Sequence, residues 1–93
     1  MVKSKPVLGI IGGGQLGSML ASAAKKLKIK TIVLSEDPKA PAKKFCDEII
    51  ISKYDKLKNI EYFASKVDVV TFEFENIPFK ILEYISKLKP VFP

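Results

Sequence analysis

The sequence predicts an α/β domain built on a doubly wound parallel sheet, and three observations carry that expectation. Short apolar, β-branched runs alternate with segments of helical period along the chain. The first run, Val7 to Ile11, is apolar nearly throughout, as suits a parallel strand covered on both faces. It leads into Gly12-Gly13-Gly14-Gln15-Leu16-Gly17, where Gly12, Gly14 and Gly17 fit the G-x-G-x-x-G spacing of a strand–turn–helix unit. The first glycine of such a unit permits a tight turn, the second lets a ligand approach the backbone, and the third lets the helix pack closely on the strand.

The remaining elements follow in order. A helix is expected from Gln15 to about Lys28, with Leu16, Met19, Leu20, Ala23, Ala24 and Leu27 as its apolar stripe. Lys25, Lys26 and Lys28 suit its negative dipole end. Thr31 to Leu34 reads as a second strand, and Ser35 to Pro41 as a loop, because Pro38 and Pro41 discourage helix and strand alike. Ala42 to Asp47 reads as a short helical turn laying Phe45 and Cys46 on the core; nothing supplies a base for Cys46, so it reads as a small buried hydrophobe. Glu48 to Ile51 is a third strand. Asp55 is the expected cap of a helix over Lys56 to Lys66, with Leu57, Ile60, Phe63 and Ala64 facing inward. Asp68 to Phe72 is a fourth strand, and Pro78 suits the first turn of a helix to about Leu88 with Ile81, Leu82 and Ile85 inward. Pro90 to Pro93 reads as the start of a fifth strand. Right-handed crossovers favour a Rossmann-like strand order 3-2-1-4-5.

The 93 residues suit one domain, and the break just inside a fifth strand is expected of a domain cut from something longer. No apolar run reaches the roughly 20 residues that span a bilayer. The glycines interrupt the stretch that a basic N-terminus would otherwise make into a signal peptide, and there is a single cysteine, so a cytoplasmic setting is expected. The net charge of +6 comes from 16 lysines and no arginine. These lysines are scattered, mostly on polar positions of the expected helices, and arginine is the residue suited to bidentate phosphate and base contacts, so nucleic acid is not the expected partner. Without histidine, imidazole catalysis and histidine metal sites are excluded within the chain, and no catalytic or metal-ligating residue is assigned.

In a sheet of this order, ligands bind where the strand order reverses, beyond the carboxyl ends of strands 1 and 4. The loops Gly12 to Gly17 and Glu73 to Pro78 then face one crevice, gathering Gly14, Gln15, Leu16, Glu73, Glu75 and Asn76. On extended backbone, Glu73 and Glu75 point the same way, opposite Phe72 and Phe74. Such a pair suits acid–base work or a cation; alternatively one carboxylate caps the helix near Pro78 and the other is solvated. A carboxylate facing the glycine turn repels phosphate, which favours an amine or a ribose hydroxyl as the group gripped there. A dinucleotide site places an acid at the end of the second strand; here Ser35 stands there, with Glu36 and Asp37 just beyond.

Three stretches carry a family resemblance: Gly9 to Gly17 followed by Met19-Leu20; Val33-Leu34 with Pro38 and Ala40-Pro41-Ala42; and Asp68-Val69-Val70-Thr71-Phe72-Glu73-Phe74-Glu75-Asn76-Ile77. Together they resemble the N-terminus of the N5-carboxyaminoimidazole ribonucleotide synthases of purine biosynthesis. A related transformylase family usually carries Glu where Gln15 stands. The resemblance implies a pre-ATP-grasp domain over residues 1–93, the first of three in a ligase that activates bicarbonate with ATP and carboxylates the amine of aminoimidazole ribonucleotide. It implies that ATP and magnesium belong to the other two domains, so that this domain alone binds no cofactor and is inactive unless an ATP-grasp chain completes it in trans. It also implies that Gln15, Leu16 and Glu75 line the substrate side of the cleft, and Gly14 and Asn76 beside them complete the expected substrate-binding set. Ser18 and Ser35 stand where the family often has a basic residue and Asp. A homodimer is compatible with this reading. Two others stand beside it: a free-standing dinucleotide-binding module, and a remnant of the synthase that folds without binding.

Overall fold

Each apolar run becomes a strand, and the four strands lie side by side in one parallel sheet. The computed structural model describes residues 5–73 and 77–93. The elements are β1 (Leu8–Ile11), α1 (Gln15–Lys26), β2 (Thr31–Ser35), a 3₁₀ turn (Pro41–Lys44), β3 (Glu48–Ile51), α2 (Leu57–Ser65), β4 (Val69–Phe72) and α3 (Phe79–Ser86). The sheet order is β3-β2-β1-β4, the first four positions of the expected arrangement. Leu8 to Ile11 of β1 pair with Thr31 to Leu34 on one side and with Val69 to Phe72 on the other. The lower ends are pinned by carboxylates: Asp68 Oδ2 accepts from Val7 N–H at 2.7 Å and Asp47 Oδ2 accepts from Thr31 N–H at 2.8 Å.

Period-two alternation divides the core in two. Ile11, Ile32, Leu34 and Val70 join Ile60 and Phe63 of α2 and Ile81 and Ile85 of α3 on one face. Ile10 and Val33 face Ala21 of α1 and Ala42 of the 3₁₀ turn on the other. Helices on both faces explain why the strands read as apolar runs rather than alternating ones.

Several expectations are corrected. Among the described residues no fifth strand forms; Val91 makes a single parallel bridge to Val70, and the preceding Pro90 has no N–H to extend the ladder. Asp55 does not cap α2; Lys56 holds that position and no side chain bonds the helix start. Leu57, half exposed, lies off the inward face of Ile60, Phe63 and Ala64. Pro78 is the residue before α3 rather than its first helical residue, because its ψ of 133° is extended. Phe45 stays at the surface, since Ala42 takes the core position of the 3₁₀ turn, while Cys46 packs partly against that core.

The largest correction concerns α1. Its buried residues are Gly17, Ala21 and Ala24, whereas Leu16, Met19 and Leu27 are 40%, 62% and 66% exposed. The reason is proximity. A Cβ on Gly17 would lie 2.1 Å from the Gly12 carbonyl oxygen, so the helix sits too close to the turn for a large residue on its inner face. The helix also ends two residues before Lys28, which adopts φ 60°. Ile29 N–H then bonds Ala24 O at 2.9 Å and Lys28 N–H bonds Lys25 O at 3.0 Å, the double closure of a Schellman cap. A lysine in the left-handed region carries a cost that glycine avoids. Lys28→Gly is therefore expected to stabilise the fold by about 1 kcal/mol in urea unfolding; an unchanged or lowered midpoint would contradict this account of the cap.

Candidate functional site

A cleft of about 610 Å³ opens beyond the carboxyl ends of the strands. Its floor is the turn Gly12 to Gly14 with Gln15, Leu16 and Met19 at the start of α1. Glu73 and Ile77, following β4, form one wall, and Ser35 to Asp37 with Tyr54 form the other. The turn is possible because Gly12 has φ 104°, a conformation that side chains disfavour. Gly12 N–H bonds Leu34 O at 2.8 Å, and Gly13 O accepts from Ala42 N–H at 3.0 Å, tying the turn to β2 and to the 3₁₀ turn.

Of the residues singled out in the sequence, Gly12, Gly13, Gly14, Gln15, Leu16 and Glu73 meet in this cleft. Gly17 lies behind it and donates its N–H to Glu73 Oε1 at 2.7 Å. Glu75 and Asn76, with Phe74, lie outside the described residues. The position assigned to ligand approach, above Gly14, is taken by the chain itself: a Cβ there would lie 3.1 Å from Glu73 Oε1. Glu73 caps a helix, but across the crevice. The helix it caps is α1, whose own cap position, Gly14, has no side chain to offer, and not the helix near Pro78.

The opposite wall spends its acids locally. Glu36 Oε2 accepts from Tyr54 N–H at 3.0 Å, and Asp37 Oδ1 accepts from Lys39 N–H at 2.8 Å. Ser35 Oγ accepts from Asp37 N–H at 3.0 Å, closing the turn after β2. No sequence motif marks Tyr54. Its signal is topological: the loop after β3 opens on the same sheet edge as the loop after β2. Burial pushes the Tyr54 phenol up to about 12, and the charges of Glu36 and Glu73 add to the effect. The cleft therefore holds a neutral phenol among three carboxylates, Glu36, Asp37 and Glu73, and no lysine lines it among the described residues. Such a lining suits hydroxyl and amine donors.

This environment has a pH signature. The phenol loses its proton near its ordinary value of 10.0 in the unfolded chain and near about 12 in the fold. Its contribution to stability is complete below the unfolded value and fades as pH rises through the folded one. Tyrosinate absorbance should show a component near pH 12 that Tyr54→Phe removes. The stability of the wild type relative to the Phe variant should fall across the same interval. A Tyr54 component titrating at the ordinary value would mean that the ring is not enclosed.

Residues 5–93 match the ribonucleotide synthetase preATP-grasp domain family. The N5-carboxyaminoimidazole ribonucleotide synthase of Brucella melitensis is 38% identical over 92 residues, covering 99% of this chain and 25% of the relative. The crystal structure of N5-carboxyaminoimidazole synthetase from Staphylococcus aureus complexed with ADP superposes with a TM-score of 0.87 at 38% identity, over 97% of this chain and 25% of that one. The Aspergillus clavatus synthase, in complex with ADP and 5-aminoimidazole ribonucleotide, superposes with a TM-score of 0.80 at 31% identity, over 96% and 24% of the two chains. The chain thus spans about a quarter of the length of the curated relatives it matches.

Proposed function

We propose, from the premise that this chain belongs to the ribonucleotide synthetase preATP-grasp domain family, that it is the substrate-side domain of an N5-carboxyaminoimidazole ribonucleotide synthase. In this reading the cleft receives the aminoimidazole and ribose end of aminoimidazole ribonucleotide, which the longer enzyme carboxylates with ATP and bicarbonate. One observation carries the reading: Gln15 and Leu16 share a cleft with Glu73, and that cleft offers carboxylates and an amide but no cation among the described residues. A Gln15 side chain can both donate to and accept from the substrate. Leu16, 40% exposed at the helix start, gives a flat imidazole an apolar surface. Glu75 and Asn76 belong to the same proposal through the match to the family segment. They follow Glu73 closely in the sequence.

The cleft does not suit ATP. A triphosphate needs cations or free helix-terminal N–H groups, and this site presents carboxylates instead. Among the described residues no group of three or more acidic, cysteine or histidine side chains is placed to hold a metal ion. In this reading ATP and magnesium belong to the part of the relatives' length that this chain does not match. The chain's own task is to bind and orient the amine.

Calorimetric titration tests this assignment. Aminoimidazole ribonucleotide should bind the chain weakly but saturably. Gln15→Ala and Glu75→Ala should each weaken binding by up to about tenfold, the worth of one hydrogen bond. Saturable binding of NADH with no response to aminoimidazole ribonucleotide would favour the dinucleotide module; no response to either would favour the non-binding remnant. The chain alone should produce no ADP from ATP and bicarbonate.

A further inference from the structure

The Glu73 carboxylate sits over all three fingerprint glycines at once. Cβ atoms placed on Gly12, Gly14 and Gly17 would lie 2.5, 3.1 and 3.1 Å from its oxygens. Oε1 takes the Gly17 N–H, one of the donors that a helix start leaves unpaired. This is the position a phosphate takes in folds that bind one at such a turn, since the unpaired N–H groups and the helix dipole both aim there. Nothing local on α1 plays the role: its first turn carries no acidic residue, and Gly14 has no side chain to cap with. The carboxylate is delivered from β4, whose Phe72 pairs with Ile11, and Glu73 N–H bonds Ile11 O at 3.0 Å. It is thus held from both ends, by its backbone on β1 and by its side chain on α1.

We propose that Glu73 is a specificity-determining residue, an internal anion that occupies the phosphate position of the glycine turn and bars a nucleotide pyrophosphate from it. The chain keeps the strand–turn–helix geometry of a phosphate site and fills it permanently with its own charge. A phosphate entering the turn would have to displace a bonded carboxylate, and with Glu73 still present it would meet like charge at close range, where the penalty is large. The neighbouring Glu36 and Asp37 add the same sign to the cleft. A ligand is consequently admitted by its uncharged or cationic end, with any phosphate directed outward.

The experiment is an amide NMR titration of the full chain with inorganic pyrophosphate, following Gly12 to Gly17. Wild type should show no saturating shifts. Glu73→Ala and Glu73→Gln should each gain binding at these amides by at least about tenfold, with the rest of the spectrum retained. The Gln variant keeps the size of the side chain and an acceptor for Gly17 N–H, so it preserves the fold if the Ala variant does not. A gain in either folded variant supports the proposal. Saturation by wild type, or pyrophosphate binding as weak in both variants as in wild type, overturns it. Failure of aminoimidazole ribonucleotide to bind leaves this outcome unaffected, because the probe is pyrophosphate alone.

Discussion

The contact between Gly17 and the Gly12 carbonyl governs the rest of the molecule. A Cβ at Gly17 would lie 2.1 Å from that oxygen, so only glycine lets α1 start where it does. The register of the whole helix follows. With Gly17 inward, Ala21 and Ala24 become the inner face, and the small side chains keep the helix low on β1 and β2. The larger residues, Leu16, Met19 and Leu27, are turned out. Leu16 and Met19 therefore line the cleft instead of filling the core.

The same contact leaves the N-terminal amides of α1 within reach of β4. A single carboxylate, Glu73, then links the first and fourth strands through α1, and its charge meets the positive end of the helix dipole. The electrostatics of the cleft run against those of the chain. The net charge is +6, yet the described cleft lining carries carboxylates and no lysine. Sixteen lysines scattered along the chain give a basic protein without giving a basic cleft among the described residues. Bulk charge does not foretell the charge of the cleft; the local sign at the topological switch point is the informative quantity.

Much of this was legible in the sequence. The apolar runs set the strands, and β3 was placed residue for residue at Glu48 to Ile51. The glycine spacing placed the turn, and right-handed crossover placed β1 between β2 and β4. The errors share one cause, that local signals do not measure distances. The period-3.6 stripe of α1 selected Leu16, Met19 and Leu27 because they are apolar, although the space beneath them was already closed by Gly17. Asp55 looked like a cap by residue type, but the backbone begins its helix one residue later. Pro90-Val91-Phe92-Pro93 reads as the start of a strand by composition, but Pro90 offers no N–H to the ladder and Val91 makes a single bridge.

The sequence alone determined the fold class, the position of the glycine turn and the pairing of that turn with the segment after β4. These follow from periodicity, glycine's backbone freedom and the handedness of crossovers, all of which are properties of the chain. Only the tertiary structure decided what fills the turn. Glu73 and Gly17 are 56 residues apart, and their 2.7 Å bond exists because β1 and β4 are neighbours in the sheet. Tyr54 joins the cleft for the same reason, through β3 lying beside β2. A residue's chemistry is written in the chain, but the group it faces is set by strand pairing.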